Sequence, residues 1–85
     1  MGERMKIEIY GKDNCPYCDK AVFLAQQVVQ ESEHSYEYFK HGKDYDTKKL
    51  METFPGARTF PQVRIDGINV GGYNEFYEII KNSGV

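Results

Sequence analysis

The chain's only two cysteines, Cys15 and Cys18, are separated by two residues, and their thiols offer the clearest chemistry in the sequence. A Cys-x-x-Cys spacing serves two kinds of chemistry, which are reversible thiol–disulfide exchange and one half of a zinc site. Exchange needs one reactive thiolate and a second thiol placed to resolve the mixed disulfide. Zinc needs two further ligands elsewhere in the chain. The residues around the cysteine pair indicate which of the two chemistries, thiol–disulfide exchange or zinc binding, the sequence favours.

The cysteines are predicted to lie where a strand is followed by a helix. Upstream, Ile7 and Ile9 alternate with their neighbours at the two-residue period of a half-buried strand, which Gly11 ends. From Pro16 to about residue 31, apolar residues recur three and four apart, as on one face of a helix. Because proline is favoured at the first helical position, Cys15 is predicted to be the N-cap.

This placement predicts two unequal thiols. Unpaired backbone N–H groups and the helix dipole favour an anion at Cys15, so we expect a lowered thiol pKa there, with Lys12 close enough to contribute. Cys18 lies one turn into the helix, where it is expected to be more buried and to remain a thiol. Cys15 is therefore predicted to be the nucleophile and Cys18 the resolving thiol.

The zinc alternative depends on His34 and His41, the only histidines. Six residues lie between them, slightly more than the usual spacing in a Cys2His2 site. Pro16 and Tyr17 also fill the turn between the cysteines, where a metal site favours small, flexible residues. We therefore expect no metal site, and we expect both histidines to be exposed to solvent.

Length and composition restrict the function further. With 85 residues, 40% of them hydrophobic, we expect one globular domain that covers residues 1–85. A net charge of −2 gives no general attraction to nucleic acid or to an anionic membrane. We see no apolar signal segment and no stretch long enough to span a bilayer, so we expect a cytoplasmic protein. A disulfide between such close cysteines could hardly stabilise a fold, which favours a catalytic pair in a reducing compartment.

The middle of the chain predicts a strand and a short helix. Tyr36 and Tyr38 alternate with polar residues over residues 35–40, which predicts a strand parallel to the first. After a polar, glycine-containing loop, Asp46 is placed to cap a helix that runs to about Phe54. A Pro-Gly pair then stops this helix.

Residues 63–70 predict a hairpin. Two alternating runs are joined by an Asp-Gly loop of the type favoured between paired strands. In the predicted register Ile65 faces Ile68 and Val63 faces Val70, with all four side chains on one face of the sheet.

A third helix is predicted after the glycine pair that ends the hairpin. Asn74 is placed as its N-cap, Phe76, Ile79 and Ile80 form an apolar stripe, and Gly84 lies beyond its end. The predicted order is therefore β-α-β-α-β-β-α. It corresponds to an α/β fold with a four-stranded mixed sheet flanked by three helices.

This order and three motifs together resemble the glutaredoxins. The motifs are Cys-Pro-Tyr-Cys at positions 15–18 after the first strand, Thr-Phe-Pro at 59–61 before the hairpin, and Gly-Gly-Tyr at 71–73 after it. The resemblance extends over nearly the whole chain. It implies a dithiol glutaredoxin with the thioredoxin-like fold.

The resemblance also implies a glutathione site along one groove. Lys12 would contact the glycine carboxylate and Tyr17 would pack against the tripeptide. The backbone of Phe60, before a cis bond to Pro61, would pair with the cysteinyl part. Amides after Gly72 would hold the γ-glutamyl carboxylate. The implied binding residues are Lys12, Tyr17, Phe60, Pro61, Gly72, Tyr73 and Asn74, with Arg58, Thr59, Gln62 and Glu75 as a secondary set.

The sequence departs from the family pattern in this groove. Many glutaredoxins carry Asp, or Thr followed by Asp, after the glycine pair and its aromatic residue, whereas this chain has Asn74 and Glu75. Asn74 is placed to accept from the γ-glutamyl amine or to cap the helix, and Glu75 supplies charge. Phe60 replaces the usual valine, which we expect to alter protein partners more than glutathione binding.

The implied activity is glutathione-dependent reduction of protein disulfides and glutathione mixed disulfides through Cys15 and Cys18. Glutathione is then a co-substrate, no cofactor is tightly bound, the protein is a monomer, and ribonucleotide reductase is a client implied by the family alone. Two alternatives remain open. One is a thioredoxin-like carrier reduced by a flavoprotein, and the other is a module that holds an iron–sulfur cluster through Cys15, glutathione and a second subunit. Pro16 disfavours the cluster, since cluster-binding relatives usually carry a small residue there.

Overall fold

The structure is a computed structural model that describes residues 4–31 and 33–83; the predicted end signal Gly84 lies outside them. Seven elements follow the predicted order: β1 (Lys6–Gly11), α1 (Pro16–Glu31), β2 (Ser35–Lys40), α2 (Thr47–Thr53), β3 (Gln62–Ile65), β4 (Ile68–Gly71) and α3 (Tyr73–Ser83). No helix in this part of the chain is long and apolar enough to cross a membrane.

The four strands form one mixed sheet, as predicted, and their order in it is β2-β1-β3-β4. β1 pairs in parallel with β2, where Ile9 is the partner of Tyr38, and antiparallel with β3, where Ile9 is opposite Val63. β1 is therefore an interior strand. The cysteine pair follows directly from its C-terminal end, so the sheet fixes where α1 begins.

Alternating side chains of β1 fill two separate cores, because successive residues of a strand point to opposite faces. Ile7 and Ile9 are fully buried in the larger core, under α1 and α3. Burying such a side chain contributes about 1.5–3 kcal/mol. Tyr10 points the other way, into a smaller cluster with Leu50 and Phe54 of the α2 region. The predicted three flanking helices are confirmed, and they divide between the two faces.

The short helix α2 is held at both ends as the sequence predicts. The Asp46 carboxylate accepts a hydrogen bond from the Lys49 backbone N–H at 2.9 Å, which is an N-cap interaction. At the other end the Phe54 N–H donates to the Leu50 carbonyl at 2.7 Å. Tyr45, just before the cap, is buried in the smaller core.

The hairpin differs from the predicted register at one end. Ile65 does face Ile68, but Val63 faces Gly71, and Val70 is the extra residue of a bulge. Ile68 is also 66% exposed, so the four side chains do not share a buried face. The reason is that β4 is an edge strand of the sheet. Bulges are common in edge strands because the extra residue interrupts hydrogen bonding to only one neighbouring strand.

The third helix begins two residues earlier than predicted. Its first residue is Tyr73, so Gly72 is the N-cap and the prediction of Asn74 at that position is wrong. The Phe76 N–H donates to the Gly72 carbonyl at 3.0 Å, which closes the first helical turn. Within the predicted stripe Phe76 and Ile80 are buried, whereas Ile79 is 36% exposed.

Candidate active site

Cys15 lies at the N-terminus of α1 and is joined to Cys18 by a disulfide, with a Cα–Cα distance of 5.2 Å. The Asp19 N–H donates to the Cys15 carbonyl at 3.1 Å, and the Cys18 N–H donates to Cys15 Sγ at 3.2 Å. These contacts confirm Cys15 as the N-cap. Cys15 is 8% exposed and Cys18 is fully buried, so only the first sulfur is on the side that a substrate can approach.

Asn14 turns the chain into this helix. It has a φ of 54°, in the left-handed region that asparagine tolerates better than most residues. The sequence analysis did not select Asn14, although an asparagine directly before a helix N-cap is the available signal. Its conformation sets the direction in which Cys15 enters the site.

Gly11, at the end of β1, packs directly against the buried sulfur of Cys18. A Cβ added to Gly11 would lie 2.7 Å from both Cε1 and the hydroxyl of Tyr38, and 3.0 Å from Cys18 Sγ. The Gly11 carbonyl accepts hydrogen bonds from the Tyr45 hydroxyl and from the His41 N–H, each at 2.8 Å. Gly11 was predicted only as a strand end. Its packing role depends on contacts between distant residues, which no local pattern indicates.

Tyr38 is the other side chain that lies close to Gly11. Its hydroxyl donates to the Lys12 carbonyl at 3.4 Å, which links β2 to the loop before the cysteines. Burial raises the pKa of Tyr38, and the carboxylates of Asp19 and Asp13 raise it further. The hydroxyl therefore stays protonated at neutral pH and remains a donor.

All of the predicted groove residues except Lys12 come together around one cavity. The Phe60–Pro61 peptide bond is cis, as the resemblance implied, and Pro61 is fully buried. A Cβ added to Gly72 would lie 3.4 Å from the Pro61 carbonyl, so this loop and the start of α3 are adjacent. They enclose a cavity of about 340 Å³ lined by Tyr17, Thr59, Phe60, Pro61, Gly72, Tyr73, Asn74 and Glu75.

Two lysines lie against aromatic rings at this site. Lys12 does not line the 340 Å³ cavity; its Nζ lies 5.2 Å from the centroid of the Phe60 ring. Lys20, which the sequence analysis did not select, lies 4.8 Å from the centroid of Tyr17. Tyr17 in turn contacts Tyr73, with ring centroids 6.0 Å apart. Cation–π contacts of this kind place positive charge at the rim of the site.

The secondary residues all line a second cavity, and Thr59 and Glu75 also line the first. Arg58, Thr59, Gln62 and Glu75 help to line a neighbouring cavity of about 590 Å³. The Gln62 side-chain amide donates to the Thr59 carbonyl at 2.8 Å, so it braces the loop before β3. Glu75 also borders the smaller cavity and therefore stands between the two.

The histidines take part in local hydrogen bonds. The Met5 N–H donates to His34 Nδ1 at 2.8 Å, and His41 Nε2 lies 2.9 Å from the Thr47 hydroxyl. Both histidines are half-buried, so the prediction of solvent exposure is wrong. Within residues 4–31 and 33–83, no three His, Cys, Asp or Glu side chains are grouped as metal ligands.

A mixed four-stranded sheet with a redox-active cysteine pair at a helix N-terminus and a cis-proline directly before β3 defines a thiol–disulfide oxidoreductase of the thioredoxin-like fold. The family model for glutaredoxin matches residues 7–70. Glutaredoxin 1 of Escherichia coli is 30% identical over 82 residues, which are 93% of this chain and 96% of that protein. The chain belongs to the glutaredoxin family, as the sequence motifs predicted.

Solved structures agree with this assignment. The structure of reduced E. coli glutaredoxin is similar with a TM-score of 0.80 and 30% identity, over 91% of this chain and 94% of that one. The oxidised form gives a TM-score of 0.77 and 30% identity, over 89% and 93% of the two chains. The three-helix, four-stranded fold is therefore that of the family.

Proposed function

We propose that this protein reduces protein disulfides and glutathione mixed disulfides with glutathione as its electron donor. The observation that carries the proposal is the cavity of about 340 Å³ lined by Tyr17, which lies between the two cysteines in the sequence, and by residues at the N-terminus of α3. The cysteine pair flanks Tyr17 in the chain, and the helix start offers backbone N–H groups, which favour a carboxylate. A thiol joined to a carboxylate through a short peptide fits this arrangement.

The reaction proceeds in two exchanges. The Cys15 thiolate attacks one sulfur of the substrate disulfide, the S–S bond breaks, and the other sulfur leaves as a thiolate. Cys18 then loses its proton and attacks Cys15 Sγ, which releases the second substrate thiol. Two electrons pass from the dithiol to the substrate, and the Cys15–Cys18 disulfide remains. Two glutathione molecules reverse these exchanges, restore the dithiol and leave as glutathione disulfide.

The groove residues take the following roles in this proposal. Lys12 attracts the glycine carboxylate of glutathione from beside Phe60, and Tyr17 packs against the peptide. The Phe60 backbone pairs with the cysteinyl part. The α3 N-terminus at Gly72 binds the γ-glutamyl carboxylate, and Asn74 accepts from the γ-glutamyl amine. Tyr73 supports Tyr17 from behind.

We further propose a cytoplasmic monomer without a tightly bound cofactor. A pair whose reduction depends on glutathione suits a reducing compartment. Ribonucleotide reductase is the proposed protein client on the family resemblance alone.

The test is turnover of a glutathione mixed disulfide with glutathione, glutathione reductase and NADPH, beside the same protein supplied with thioredoxin reductase and NADPH. We expect turnover only in the glutathione system. Cys15→Ser is expected to abolish it, because no nucleophile remains. Cys18→Ser is expected to keep removal of glutathione from mixed disulfides and to lose most reduction of protein disulfides, which needs the second thiol.

Two results would contradict the proposal. Turnover only with thioredoxin reductase would make the protein a thioredoxin-like carrier. Equal losses in Cys15→Ser and Cys18→Ser on the glutathione mixed disulfide would contradict the unequal roles of the two sulfurs.

A further inference from the structure

A further cavity of about 460 Å³ lies between α1 and α3, which pack against each other. We call it the α1–α3 cleft, and it is lined by Asp19, Lys20, Phe23, Leu24, Gln27, Tyr73 and Tyr77. Leu24 and Tyr73 are partly buried and pack against the main core. Phe23 is 61% exposed and Tyr77 is 44% exposed. The cleft therefore joins the core to two aromatic rings that stand in solvent.

The α1–α3 cleft is continuous with the active-site groove. Tyr73 lines both the 340 Å³ cavity and the cleft. Its ring contacts Tyr17, with centroids 6.0 Å apart, and stacks on Tyr77, with centroids 6.1 Å apart. These three rings form a row that leads from the residue between the cysteines into the cleft. None of the other residues that line the cleft is assigned to glutathione.

The exposed aromatic surface here is contiguous. Single exposed apolar side chains are ordinary, whereas a contiguous patch marks an interaction surface. The structure describes six exposed large hydrophobic side chains, and three of them, Tyr17, Phe23 and Tyr77, belong to this row and cleft. The charged residues that line the cleft, Asp19 and Lys20, have opposite signs. A partner is therefore held there by apolar contact and not by net charge.

We infer that the α1–α3 cleft docks the polypeptide that flanks the disulfide of a protein substrate and takes an apolar side chain from it. This inference rests on the proposed function, because the docked segment must also reach Cys15. Phe23 lies five residues after Cys18 in α1, which is about 7.5 Å along a helix axis. An extended chain covers this distance in about two to three residues. The apolar side chain is thus expected about two to three residues from the substrate cysteine.

The experiment compares kcat/KM for two synthetic peptides, each with one cysteine in a mixed disulfide with glutathione. One peptide has leucines about two and three residues from the cysteine on both sides, and the other has serines there. The mixed disulfide of free cysteine and glutathione is the third substrate, which has no flanking chain to dock. Burial of one methylene group changes an equilibrium constant by about fourfold. We expect the wild-type protein to prefer the leucine peptide by about four- to fifteenfold, mainly through KM.

Two variants locate this preference on the surface. The double variant Phe23→Gln with Tyr77→Gln removes both exposed rings and keeps residues that suit a helix. Ile68→Thr is the matched control, because Ile68 is a 66% exposed apolar side chain on β4 and does not line the cleft. We expect the double variant to lose the preference for leucine, with wild-type turnover of the cysteine–glutathione disulfide and a wild-type urea midpoint. Ile68→Thr should retain the preference.

The possible results separate the inference from the proposed function. Equal kcat/KM of the wild-type protein for the two peptides, a preference retained in the double variant, or a preference lost in Ile68→Thr would overturn the inference, while turnover of the cysteine–glutathione disulfide still supports the proposed function. A wild-type dimer in sedimentation velocity that the double variant converts to a monomer would also overturn it, since the cleft would then hold a second copy of the chain. No turnover of any of the three substrates would overturn the proposed function, and the inference with it.

Discussion

Gly11 offers the sharpest test of how the fold supports the redox pair. Gly11→Ala adds one methyl group at the end of β1, and its carbon would lie 2.7 Å from two atoms of Tyr38 and 3.0 Å from Cys18 Sγ. Real contacts of this kind are longer, so Tyr38 must move. It is restrained by its place in β2 and by its hydrogen bond to the Lys12 carbonyl. The substitution therefore strains the packing behind the buried sulfur.

Two opposing effects set the magnitude. Overpacking a well-packed site costs about 1–3 kcal/mol. Replacing glycine with alanine gains about 0.4–1 kcal/mol from the unfolded chain where the backbone allows it, and Gly11 is not among the glycines with a positive φ. We therefore expect Gly11→Ala to lower the free energy of unfolding by about 1–2 kcal/mol.

The assay is urea denaturation of the oxidised protein, with the midpoint as the measure and an unchanged slope as the sign of two-state unfolding. Tyr38→Leu removes the colliding ring, so Gly11→Ala in that background should cost less than about 0.5 kcal/mol. Wild-type stability in Gly11→Ala, or strictly additive losses in the double variant, would refute the steric explanation.

Two further predictions concern α2 and the residue before its cap. Asp46→Ala should destabilise the protein by about 1 kcal/mol through loss of the bond from the Lys49 N–H, while exposed Glu52→Ala in the same helix should have little effect on the urea midpoint. The stability contribution of Tyr45 should be complete below pH about 10 and fall as pH rises above it. Burial first, and two neighbouring tyrosines second, raise the pKa of Tyr45, so the folded state retains a proton that the unfolded state loses. Tyr45→Phe should flatten this part of the pH profile of the urea midpoint, and an unchanged slope would contradict the assignment.

The structural features that depend on one side chain and its neighbours in the sequence were predicted correctly. Pro16 set the start of α1 and thereby the N-cap position of Cys15, and Asp46 set the start of α2. The Asp-Gly loop also gave the pairing of Ile65 with Ile68. In each case the local chemistry has one favoured geometry, so the sequence contains the information.

Two of the errors lie where the backbone conformation depends on glycine. The bulge at Val70 and the early start of α3 both border Gly71, whose φ of +120° turns the chain out of the sheet. Glycine permits many conformations and has no side chain to indicate a cap, so Gly72, whose N–H donates to the Glu75 carboxylate, lacked the Ser or Thr that marks a capping box. Only the folded backbone distinguishes Gly72 from Asn74 as the cap.

Residues from the starts of α1 and α3 line the same groove, and each helix start provides backbone donors for an anion. At α1 the acceptor is the sulfur of Cys15, which is part of the chain and of the reaction. At α3 the acceptor is the carboxylate of Glu75, which is part of the chain but not of the reaction. Because backbone N–H groups do not change with side-chain substitution, Phe60 and Asn74 leave both anion positions in place.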